Sequence, residues 1–62
     1  MNQKQREKLF DICRRSKLGH HVSKAEHAFA GRMWRKFEKE YCEISKQADK
    51  KAVAEYLGPF RG

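Results

Sequence analysis

A chain of 62 residues with fifteen Lys and Arg against eight Asp and Glu, for a formal net charge of +7, suits one domain with a small core. Its 37% of charged residues leave no apolar stretch long enough for a transmembrane span, and two cysteines are too few for a disulfide-rich scaffold. Met1 to Lys8 is polar and leads into no apolar run, so no secretory leader is expected, and the setting that follows is reducing and cytoplasmic.

Asn2 is placed to cap a first helix over residues 3–17. Leu9, Ile12 and Cys13 fall on one side of it, with Phe10 at the border. Lys4, Lys8, Asp11 and Arg15 fall on the other, and Asp11 stands four residues before Arg15, the spacing of a helical ion pair. Arg14, Arg15 and Lys17 crowd the last turn, where the helix dipole favours cations. Gly19 suits the left-handed position that ends a helix. His20 and His21 form the connection, a polar pair expected to be solvated. Val22 then sits at the position of a hydrophobic staple, and Ser23 with Glu26 three residues on is a capping box, the most specific local signal in the chain.

The second helix is expected over residues 24–44. Ala25, Phe29, Ala30, Met33, Trp34, Phe37, Tyr41 and Ile44 cover roughly half of its wheel, a stripe wide enough to meet two neighbouring helices. Lys24, Arg32, Arg35, Lys36 and Lys39 occupy the other half, interrupted by Glu38 and Glu43. A third helix over 46–57 turns Ala48, Ala52, Val53, Tyr56 and Leu57 to one side and ends at Gly58-Pro59. One unbroken helix from Lys24 to Leu57 would reach about 50 Å and leave little to cover its apolar side, so a break is expected near Ser45. In the short tail 58–62, Phe60 is expected to pack back on the helices. The fold class that follows is all-α, a single-domain three-helix bundle across 1–62, with a long central helix antiparallel to the first. Its core is expected at Leu9, Ile12, Phe29, Met33, Phe37, Tyr41, Ile44, Val53 and Leu57.

Cys13, His20, His21, His27 and Cys42 are ligand types that zinc accepts, but no Cys-x-x-Cys or His-x3-His spacing joins them. On a helix spanning 24–44, Cys42 would stand about four turns beyond His27, too far to share an ion. No metal or cofactor is therefore expected. A cysteine beside a histidine lacks an orienting third group, and so short a chain offers little volume for a substrate, so no enzymatic activity is expected.

The basic excess points instead to a polyanion. Lys4, Lys8, Arg14, Arg15 and Lys17 of the first helix, with Arg32, Arg35, Lys36 and Lys39 of the second, are the candidate contacts to the phosphates of DNA or RNA. The competing class is a protein-interaction or regulatory module, homodimeric or docked on an acidic protein surface, with Phe29, Trp34 and Tyr41 as aromatic anchors. Binding to a membrane surface is disfavoured by Glu26, Glu38, Glu40 and Glu43, which interrupt what would have to be a basic polar face.

Overall fold

The structure, a computed structural model, describes residues 1–57 and consists there of three helices in mutual contact: α1 (Gln3–Lys17), α2 (Lys24–Lys36) and α3 (Glu38–Leu57). Two capping boxes start the first two. The Gln5 backbone N–H donates to Asn2 Oδ1 at 2.8 Å while the Asn2 N–H donates to Gln5 Oε1 at 3.1 Å. At α2 the Glu26 N–H donates to Ser23 Oγ at 3.2 Å, and the Ser23 N–H donates to Glu26 Oε1 at 3.1 Å. Each box satisfies two backbone donors that a helix start leaves orphaned. Gly19, at φ 80°, takes the left-handed position after α1, and the His20 N–H reaches back to the Arg15 carbonyl at 2.8 Å. A side chain would strain that turn.

The break expected near Ser45 lies at Phe37. The helix expected over 24–44 is accordingly divided, and the longest helix is α3, with 20 residues. Phe37 leaves helical geometry alone, at φ −132° and ψ 57°. Its N–H donates to the Met33 carbonyl and its own carbonyl accepts from the Tyr41 N–H, both at 2.7 Å, so one residue closes α2 and opens α3. Arg35 and Lys36 occupy the last turn of α2, where the dipole end is negative, and Glu38 and Glu40 the first turn of α3, where it is positive. This reversal of charge across one residue favours two helix ends over one continuous rod.

Arg6, near the start of α1, donates to Glu40, near the start of α3, at 2.9 Å. Toward the other ends, Arg14 meets Glu55 at 2.7 Å and Lys17 meets Asp49 at 3.1 Å. α1 and α3 therefore run in the same sense. α2 runs against both, with Glu26 at its start beside Arg15 and Phe29 beside Lys8. The antiparallel arrangement of the first two helices follows the sequence expectation.

Leu9, Ile12, Met33, Ala48 and Ala52 are buried. Phe29, Phe37, Tyr41 and Ile44, expected in the core, are half-buried. Val53 and Leu57, also expected there, are 43% and 51% exposed. The most extensive interface pairs α1 with α3, and Ala48 and Ala52 line it because small side chains let two helix axes come close. Turning those alanines inward carries Val53 and Leu57 about 100° and 140° around α3 from Ala52, toward the surface. The Gly58-Pro59 stop and Phe60 lie outside the described residues. No described helix is long and apolar enough to cross a membrane.

Candidate nucleic-acid interface

The nine basic residues singled out from the sequence divide into two groups. Arg14, Arg15 and Lys17 are engaged by acidic side chains of the bundle. Arg14 bridges Asp11 at 3.4 Å as well as Glu55, and Arg15 donates to Asp11 at 2.9 Å, to the His21 carbonyl at 3.3 Å and to Glu26. The Asp11–Arg15 pair expected from spacing is thus present, extended into a network that ties α1 to the start of α2. The hydrogen bond from Arg15, followed by that from the Ser23 backbone, holds the Glu26 carboxyl at about 2, down from 4.5.

A carboxyl whose folded pKa is depressed stabilises the fold above its ordinary value, and that contribution is lost as pH falls through the folded one. Glu26→Gln keeps the capping box and removes the charge. The wild type is therefore expected to melt above the variant near neutral pH, with the difference closing between pH 4.5 and about 2. Thermal melts across that range check it; a gap unchanged at the acid end contradicts the assignment.

Lys4, Lys8, Arg32, Arg35, Lys36 and Lys39 are exposed, and among the described residues no ion pair engages them. Three of them, Arg32, Arg35 and Lys36, all on α2, line one cleft of about 430 Å³ between α1 and α2, together with Gln5, Phe29 and Met33. Gln5 is the α1 residue of this lining, and Lys8, outside it, holds Nζ 4.7 Å from the centre of the Phe29 ring, within cation–π range. Lys4 stands one turn earlier on α1. No carboxylate lines the cleft among the described residues. An anion there meets guanidinium and ammonium donors with no competing charge, and Phe29 is covered by a lysine instead of being free to stack on a base. Lys39, in the first turn of α3, lies outside the cleft lining.

The three aromatics proposed as interface anchors do not converge. Phe29 is half-buried under Lys8, Tyr41 is half-buried beside Cys13, and Trp34 alone is 52% exposed. Apolar exposure gathers instead at the other end of α3, where Val53, Tyr56 and Leu57 with Leu18 line an open cleft of about 400 Å³. Sequence reasoning placed all three α3 residues on the inward side, and only the rotation of α3 about its alanines reveals them.

Cys13 and Cys42 are free thiols. Burial pushes the Cys13 thiol up despite its hydrogen bonds with Tyr41 and Ser45, which keeps it protonated and a poor nucleophile at neutral pH. His27 and Cys42, read above as sharing one helix, stand on α2 and α3, so the reason given for separating them is corrected. Among the described residues no group of three or more His, Cys, Asp or Glu side chains is arranged to hold a metal ion. No protein-family model, no curated protein and no solved structure matches the chain.

Proposed function

We propose that this chain is a non-catalytic accessory protein that binds DNA or RNA through phosphate charge, using the α1/α2 cleft. The observation that carries the reading is the separation of the cations. Those near the end of α1 are neutralised by Asp11, Glu26, Asp49 and Glu55, while Arg32, Arg35 and Lys36 of α2 line one carboxylate-free cleft and Lys4 and Lys8 of α1 are exposed and outside any ion pair among the described residues. Within the candidate set this favours the cations of α2 over those at the end of α1. Two free thiols fit a reducing, cytoplasmic setting.

The test is titration of a generic duplex at several salt concentrations. Each neutralised phosphate contributes close to one unit to the logarithmic slope, so reversing two cleft cations, Arg32→Glu with Lys36→Glu, is expected to lower it by about 2. Arg14→Gln, which removes an internally paired cation, is expected to leave the slope within about half a unit of the wild type. No binding at low salt, or equal losses from both changes, rejects the reading.

A second reading rests on a different observation. Trp34, Tyr56 and Leu57 are each more than half exposed, as expected of a protein-interaction or homodimeric module. Sedimentation of the free protein decides it: a mass above 7.4 kDa that returns to the monomer value in Tyr56→Ser supports self-association.

A further inference from the structure

The apolar cleft at the end of α3 has no part in the nucleic-acid reading. It lies where the end of α1 meets the last turns of α3, holds about 400 Å³, and is lined by Lys17, Leu18, Ala52, Val53, Tyr56 and Leu57. Val53, Tyr56 and Leu57 are 43%, 80% and 51% exposed, so three large apolar side chains stand together against water. A cluster of this kind marks a contact surface, whereas single exposed apolar residues are ordinary. The charged side chain in the lining, among the described residues, is a cation, Lys17.

Charge around the cleft decides what can fill it. At about 100° per residue from buried Ala52, the positions of Lys46, Lys50, Val53 and Leu57 fall in one sector of about 60° on α3. Lys50 stands three residues before Val53, the spacing of side-chain neighbours on a helix. Both lysines are exposed, and among the described residues neither is in an ion pair. The nearby carboxylates are already engaged, Asp49 by Lys17 and Glu55 by Arg14. Glu43 stands three residues before Lys46 and about 15 Å along the axis from Val53, so it borders the lysines and not the cleft.

We infer that this cleft is the docking site for an acidic amphipathic helix of another protein; this rests on the protein-interaction reading above and names its partner chemistry. Two helices side by side leave a groove into which a third lays its apolar face. Apolar side chains of the partner cover Leu18, Val53, Tyr56 and Leu57, and its carboxylates meet Lys46 and Lys50 beside them. A second copy of this chain is disfavoured as the occupant. Placed cleft to cleft, two copies bring like-charged lysines together and join two chains of net charge +7. A nucleic acid supplies phosphates for the lysines and little aliphatic surface for Val53 and Leu57.

The experiment is fluorescence anisotropy with the full-length protein and a labelled synthetic helix of about 15 residues, with Leu and Phe on one face and Glu on the other. A peptide of the same composition in scrambled order carries equal charge without an apolar face. The wild type is expected to bind the amphipathic peptide at least about tenfold more tightly than the scrambled one. Tyr56→Ser with Leu57→Ser is expected to erase that preference. Lys46→Glu with Lys50→Glu is expected to weaken binding at least about threefold, a loss that shrinks as salt rises. Arg32→Glu with Lys36→Glu, in the α1/α2 cleft, is expected to retain the preference. All these positions are exposed, and circular dichroism confirms that the variants stay helical. Equal binding of the two peptides overturns the inference, because charge alone then accounts for it. A preference that appears only in Phe60→Ser also overturns it, since the chain's own tail then fills the cleft. No peptide binding beside a sedimentation mass above 7.4 kDa overturns the acidic partner and leaves the protein-interaction reading standing, with a second copy in the cleft. No peptide binding by a strict monomer overturns both.

Discussion

Leu9→Ala is expected to take most of the folding free energy of this protein. Leu9 is 0% exposed and is the largest fully buried side chain among the described residues. Truncating a buried leucine costs about 2–5 kcal/mol, the lost transfer energy together with the cavity left behind. A chain of this length has on the order of 3–9 kcal/mol to lose at the usual per-residue stability. The remaining core is one isoleucine, one methionine and two alanines, which offer little to collapse into the space. A thermal melt followed by far-ultraviolet circular dichroism is expected to shift down by on the order of 10–20 °C, or to begin partly unfolded. Val53→Ala and Leu57→Ala provide the contrast. Both positions face solvent, so each is expected to change stability by no more than about 0.5 kcal/mol. Comparable losses at Leu9 and Leu57 would mean that α3 is rotated differently.

Ala48→Leu is expected to separate α1 from α3. Ala48 is 0% exposed and Ala52 1% exposed, and both stand where the two helices meet. Leucine has nearly the helix propensity of alanine, so α3 itself is not weakened by the change. The added branched side chain has to displace α1, and overpacking of this kind costs about 1–3 kcal/mol. The Arg6–Glu40, Arg14–Glu55 and Lys17–Asp49 pairs span the same interface and would lengthen with it. The check is the urea midpoint beside that of Ala54→Leu, which adds the same atoms on the exposed side of α3. A midpoint for Ala48→Leu equal to that of Ala54→Leu would show that the alanines do not set the spacing.

These two substitutions mark where the sequence is informative and where it is not. Asn2, Gly19 and the Ser23–Glu26 box were legible because a cap acts within four residues of its own chain. Nothing distant has to be known. The all-helical class and the antiparallel course of the first two helices followed from the same short-range signals, whereas the wide apolar stripe belonged to a helix over 24–44 that Phe37 divides. The break at Phe37 was harder. Phe37 is neither a glycine nor a capping side chain, and the usable signal was the change of sign from Arg35-Lys36 to Glu38 and Glu40, which a search for caps passes over.

The candidate interface was legible as a set of residues and not as a surface. Composition and periodicity determined that this is a small, basic, all-α chain whose first two helices begin at Asn2 and Ser23. Only the tertiary structure decided that α3 buries Ala48 and Ala52 and exposes Val53 and Leu57, because close packing against α1 rewards the smallest side chains, not the most apolar ones. The same packing brought Glu26, Asp49 and Glu55 to Arg14, Arg15 and Lys17 and left Lys8, Arg32 and Lys36 without carboxylate partners. Which cations remain available depends on distances between helices, and one helix considered alone contains no such distance.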